Sequence, residues 1–250
     1  MTAVQPQGRT QSQSPMHRTP ALSPPGTFRT ALILLGKDLR LELRTLETVP
    51  AMVLFCITTF VIFHFALNRA TISGQLAAGI LTATLLFASM LAINRLFVAE
   101  REQGGFDGFL LAPVDRTALL LAKAGALLVF LVVLEVFAVP AFALLLLGPP
   151  LGPRLPGLVT VLLLGDLALA IIGTFVSAIA VQTRARDLIG PILGLPLLVP
   201  ALIGTARGVG SALATHPVQF PAGRWLAITA LYDLVFALLA YAVFDFLLED

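Results

Sequence analysis

Six stretches of this chain run apolar without alternation: Pro50 to Leu67, Leu76 to Phe97, Ala118 to Leu147, Leu158 to Val181, Leu188 to Ile203 and Trp225 to Leu248. A helix needs about 20 apolar residues to cross the hydrocarbon core of a bilayer. Continuous rather than alternating runs point to helices and not to the strands of a barrel. Ahead of the first run, "TALILLGKDLRLELRTLET" has a different period. Leu32, Leu35, Leu39, Leu43 and Leu46 recur at three and four residues on one helical face, while Lys37, Arg40, Arg44 and Glu47 fall on another. This predicts an amphipathic helix over 28–47 lying in the inner headgroup layer, leucines toward acyl chains and cations toward lipid phosphates. The alternation "LRLELR" also suits a strand, but an unpaired strand at a membrane surface leaves its backbone groups unsatisfied. Whether the helix levers the first span or only anchors it stays open at this point. The pattern as a whole predicts an all-α membrane protein with six transmembrane helices preceded by an amphipathic interfacial helix.

Composition agrees. Of 250 residues, 58% are hydrophobic and 12% charged, too little polar surface for a soluble domain of this size. Residues 1–27 are rich in Gln, Ser, Pro and Thr, lack the apolar core of a cleavable signal, and read as a disordered cytoplasmic tail ahead of a six-span domain over 28–250. The net charge of +2 is small and dispersed among the spans, which argues against a nucleic-acid surface. Its distribution is more informative. With the N-terminus inside, the outer segments hold only Arg69, Arg154, Arg207 and Arg224, and the other twelve of the sixteen Lys and Arg face the cytoplasm. That bias predicts both termini inside.

The segment between the second and third spans, "NRLFVAEREQGGFDGFLLAPVDRTAL", is the most unusual in the chain. Glu100, Arg101 and Glu102 end the second span, and Gly104-Gly105 lets the chain turn. Phe106, Phe109 and Leu110 then sit at i, i+3 and i+4 and make an apolar knob, Pro113 stops it, and Asp115 is placed to cap the third span. Phenylalanines beside charges on a cytoplasmic loop need a partner, either headgroups or protein. A loop folded back on its own bundle is the alternative.

Polar groups at depth are few. Glu135 lies near the middle of the third span, and Asp166 and Asp233 lie eight residues inside the fourth and sixth. A carboxylate at a helix centre costs about 2.5–3.5 kcal/mol on insertion scales, so each should face protein or water. Two readings stand side by side: the lining of a polar cavity or subunit interface, and hydrogen-bonded packing. His64 and His216 face the outer compartment in this topology and read as polar packing. Met52 and Met90 read as fillers, and Gly173 with Ser177 as a small-residue packing face. Span five carries Pro191, Pro196 and Pro200 with Gly190 and Gly194, which predicts a short, kinked helix. Gly204 to Gly223 is then long enough for a separate re-entrant or interfacial helix. The lone Cys56 leaves no disulfide, CxxC or zinc set, and the Gly-Lys of "LLGKDL" lacks the rest of a phosphate-binding loop.

"KDLRLELRTLETVPAMVLF" followed by "NRLFVAEREQGGFDGFLLAPVDRTALLLAK" resembles the CcmB family, haem exporter protein B, the permease-type subunit of the cytochrome c maturation ABC transporter. The likeness is strongest over Lys37 to Lys123. It implies an ABC-exporter permease fold, and a cytoplasmic coupling loop over 98–117 that contacts a CcmA-like ATPase through Glu100, Arg101, Glu102, Phe106, Asp107, Phe109 and Arg116. It further implies CcmC- and CcmD-like membrane subunits, delivery of haem to the chaperone CcmE, and a place in the bacterial inner membrane. On this reading the chain is not an enzyme and binds no cofactor directly. Haem is handled by the complex and ATP by the partner chain, and a homodimer or a pairing with CcmC completes the pore. The rivals are an ABC permease for a lipid or drug, and an intramembrane enzyme built on Glu135, Asp166 and Asp233, which no nucleophile or metal-ligand motif accompanies.

Overall fold

A computed structural model describes residues 26–67, 71–97, 116–147, 151–181, 186–214 and 222–247. The described residues form seven α-helices: α1 (Thr27–Thr45), α2 (Thr48–Ala66), α3 (Gly74–Arg95), α4 (Arg116–Leu145), α5 (Leu155–Val181), α6 (Arg186–Ala212) and α7 (Ala222–Leu247). A single 3₁₀ turn, Gly152–Arg154, leads into α5. Helices α2 to α7 are each long and apolar enough to cross a membrane. Helical geometry answers every internal backbone group within the segment, as a span through hydrocarbon requires.

Helix α1 is separate from these six. It ends where Leu46 turns into the left-handed region at φ 50°, its N–H donating to the Glu42 carbonyl. That conformation costs a leucine about 1–2 kcal/mol, and the corner it makes is held from the other side. The Glu42 carboxylate accepts the N–H groups of Thr48 and Val49, each at 2.8 Å, which are unbonded donors of the first turn of α2. Span one therefore begins at Thr48, two residues before the apolar run. Pro50 falls in its first turn, where the missing N–H costs nothing.

Helices α3 and α5 are the most enclosed, and α2 and α7 present most of their surface outward. Met52, Cys56 and Phe60 form the inward stripe of α2, with the Phe60 ring edge-on to Phe142 of α4 at 5.3 Å. At the end of the bundle remote from α1, the Ile72 N–H donates to Leu146 O at 2.8 Å and the Gly74 N–H reaches Leu213 O at 3.4 Å. Gly74 adopts φ +59°, a conformation that favours glycine.

The expectation of a short fifth span followed by a separate helix in Gly204–Gly223 does not hold. Helix α6 runs unbroken from Arg186 to Ala212, through all three prolines. Packing is the reason. Gly190 lies against Asn94, Gly194 against Met90 and Gly210 against Gln75, so α6 follows α3 antiparallel along its length. Gly204 meets Thr229 of α7, and Gly208 meets Val161 of α5. Glycines that interrupt a helix in water let helices approach closely in a bilayer, where dispersion replaces the hydrophobic drive. Residues 215–221, the rest of the expected outer segment, lie outside the described residues, as does His216.

A methyl group at Gly208 would sit 2.7 Å from Val161 Cγ1, on a β-branched side chain that cannot rotate away, whereas one at Gly79 would meet nothing. Gly208→Ala is therefore expected to lower stability by about 1–3 kcal/mol. Gly79→Ala should leave it unchanged or raise it, as read by thermal unfolding in detergent.

Candidate functional site

The site begins at the corner between α1 and α2. The face of α1 turned to α4 carries Ala31, Leu34, Leu35 and Asp38, with Leu35 against Gly125. Asp38 is 9% exposed and pairs with Lys123, 3% exposed, at 2.9 Å. The Lys123 ammonium also stands 5.4 Å from the centre of the Phe97 ring. A second link joins Glu47 to Arg95 at 3.1 Å, between exposed side chains. The two pairs differ in strength. A buried pair is costlier to break than an exposed one, which contributes about 0–1 kcal/mol, and Asp38 also has the exposed Lys37 within 3.6 Å.

These contacts bracket the segment that the sequence singles out. Phe97 and Arg95 stand at its entrance and Lys123 two turns past its exit. Glu100, Arg101, Glu102, Phe106, Asp107 and Phe109 lie outside the described residues. Arg116 is the first residue of α4, which starts directly after Asp115, and its side chain lies outside the described residues as well. The last two residues of the expected loop over 98–117 are thus helical.

Lys37, Arg40 and Arg44 are exposed on α1 and, with Arg29, line a cleft of about 670 Å³ beside Leu32 and Ile33. The leucine face is divided. Leu32, Leu43 and Leu46 are exposed, while Leu35 and Leu39 are half-buried against the bundle. Leu39, Leu43 and Leu46 also border an apolar cleft of about 470 Å³ shared with Val49, Phe130 and Phe137. Asp38, Glu42, Phe97 and Lys123 were missed by sequence reasoning. The available signal was Lys123 itself, a cation seven residues into an apolar helix.

The second constellation lies within the spans. Glu135 of α4 and Asp166 of α5 are 9% and 3% exposed and their carboxyl groups are neighbours, with Glu135 Oε1 and Asp166 Oδ2 each lacking a hydrogen-bond partner among the described residues. Asp233 of α7, 3% exposed, has neither oxygen hydrogen-bonded among the described residues. The structure thus joins two of the three sequence-flagged carboxylates. His64 is engaged as packing: its Nδ1 is hydrogen-bonded to Leu145 O, at the carbonyl end of α4. Ser177 donates to Ile93 O at 2.8 Å, and Tyr232 donates to Leu197 O.

Comparison with known proteins places this geometry. The family model described as CcmB protein matches residues 29–246. The chain belongs to the CcmB family. Curated relatives include heme exporter protein B of Rhodobacter capsulatus, 33% identical over 79% of this chain and 90% of the relative. Heme exporter protein B of Paracoccus denitrificans is 34% identical over 79% of this chain and 92% of the relative. That of Pseudomonas aeruginosa is 28% identical over 84% and 93%. The CcmB match takes in α1, all six spans, the Asp38–Lys123 pair and the carboxyl pair. This CcmB-family chain is a multi-pass membrane protein.

The carboxyl pair yields a test by double substitution. Asp166→Leu alone strands the Glu135 carboxyl in an apolar setting and should cost about 1–3 kcal/mol. Glu135→Leu/Asp166→Leu removes both polar groups and should recover most of that loss. Equal, additive losses in thermal unfolding would show that the two side chains do not depend on each other.

Proposed function

We propose that this chain is the non-catalytic membrane subunit of an ABC-type complex that handles haem in cytochrome c biogenesis. The observation that carries the reading is the match, over nine-tenths of their length, to relatives named heme exporter protein B. Six spans with no phosphate-binding loop in the sequence support a division of labour, with ATP bound and hydrolysed on a CcmA-like partner. The stretch from Glu100 to Arg116 serves as the contact. Its acids and arginines set register on the ATPase, Phe106 and Phe109 supply burial, and Gly104-Gly105 permits the turn.

In this reading, closure of the ATPase dimer moves the loop, and the loop moves the ends of α3 and α4. The output is haem delivery to, and release of, a CcmE-like chaperone, in company with CcmC- and CcmD-like subunits. The chain sits in the inner membrane with both termini cytoplasmic, consistent with the twelve-to-four distribution of Lys and Arg. The Lys37, Arg40 and Arg44 stripe rests on anionic headgroups, and a second permease subunit, either another copy or the CcmC-like protein, completes the pore.

Charge reversal tests the contact. Glu100→Lys/Glu102→Lys is expected to lower the amount of ATPase subunit that co-purifies in mild detergent while leaving the chain inserted at normal levels. Unchanged complex composition would remove the loop from the contact.

A further inference from the structure

We propose that His64 is an axial ligand for haem iron, held through Nδ1 by the carbonyl end of α4 and offering Nε2 at the end of α2 remote from α1. The inference rests on the proposed handling of haem and names the residue of this chain that touches it.

One hydrogen bond decides the chemistry of the ring. His64 Nδ1 is bonded to Leu145 O, and a carbonyl oxygen only accepts, so Nδ1 carries the hydrogen. In the neutral ring the lone pair is then on Nε2, which has no hydrogen-bond partner among the described residues. Packing thus occupies one ring nitrogen and leaves the other. An imidazole that donates one N–H to a backbone carbonyl while its second nitrogen coordinates is the usual arrangement at metal centres. The carbonyl fixes the tautomer and the direction of the ring, and it makes the remaining nitrogen a better ligand.

The setting fits haem better than a bare ion. No group of three His, Cys, Asp or Glu side chains that could hold a metal occurs among the described residues. Haem brings its own ring nitrogens and asks of a protein an axial ligand and an apolar surface. His64 is half-buried and stands two residues before Ala66, where α2 ends. At that depth the apolar macrocycle lies among acyl chains while its charged propionates reach water. Phe65, 77% exposed, is edge-on to the imidazole at 5.2 Å, and Val61 one turn earlier and Leu144 of α4 are exposed as well. The sulfur ligands of the described spans are withdrawn, since Cys56, Met52 and Met90 lie in the core. Ligation forms one coordinate bond from Nε2 to iron and displaces water from it, with no proton or electron transferred. The opposite face of the iron stays open to a ligand from another protein, which suits handover.

The test titrates the full-length chain in nanodiscs with ferric haem and reads the absorption spectrum and thermal unfolding. Wild type is expected to bind haem saturably, with the spectrum of imidazole-ligated iron. His64→Asn keeps an N–H for Leu145 O but offers iron no imidazole nitrogen. Its unfolding should stay near wild type while haem binds more than about tenfold weaker, since even a group behind a metal ligand is worth that much. His64→Ala should lose the spectrum and regain it when free imidazole is added, a rescue that a packing role alone cannot produce. Wild-type spectrum and affinity in His64→Asn, or no rescue of His64→Ala, would overturn the ligand. So would a wild-type chain that never shows imidazole-ligated haem; the proposed function survives that result if cytochrome c maturation in cells still requires the chain. Maturation that does not require the chain would sink the proposed function, and the handover at His64 with it.

Discussion

A charge or an unpaired backbone group inside a bilayer finds no water, and the polar links between the helices of this bundle are arranged around that constraint. Lys123 is answered by Asp38 from another helix and by the face of Phe97. Glu135 has Asp166 of the neighbouring helix beside it. Ser177, His64 and Tyr232 each reach a backbone carbonyl on a neighbouring helix. These links join α1 to α4, α4 to α5, α5 to α3, α2 to α4 and α7 to α6. Polar residues in the spans thus act as fasteners between helices, and dispersion packing fills the space between them.

That packing depends on residues with almost no side chain. Gly190, Gly194, Gly204, Gly208 and Gly210 bring α6 against α3, α5 and α7, and Gly165 and Gly173 do the same for α5. Because the close contacts extend past Ile203, the helix extends with them, and three prolines do not stop it. Proline removes a donor, but enclosed among neighbouring helices it does not end the segment.

The spans themselves were legible because hydrocarbon imposes a length and a composition that few other structures share. Helix α1 was legible from its period, and its boundaries fall within two residues of those expected. What stayed hidden follows from how each feature arises. The far end of span five looks like a loop when Gly204, Gly208 and Gly210 are counted as breakers, since their partners are far away in sequence. The Asp38–Lys123 pair joins residues 85 positions apart, so neither residue alone announces it. Asp38 passes for one more polar residue on an amphipathic helix, and Lys123 for a flanking cation. Glu135 and Asp166 were each visible as costly, and only the fold shows that they meet. Leu35 shows the same limit: its period puts it among lipid-facing leucines, but Gly125 opens a place for it on α4.

In this account the chain supplies the moving membrane part and another chain supplies the hydrolysis, the two meeting at the segment between α3 and α4. A photo-crosslinking side chain placed at Phe109 in intact cells measures that meeting directly. The account predicts a crosslinked product containing an ATP-hydrolysing subunit. Capture only of lipid, or only of the chain's own helices, would contradict it.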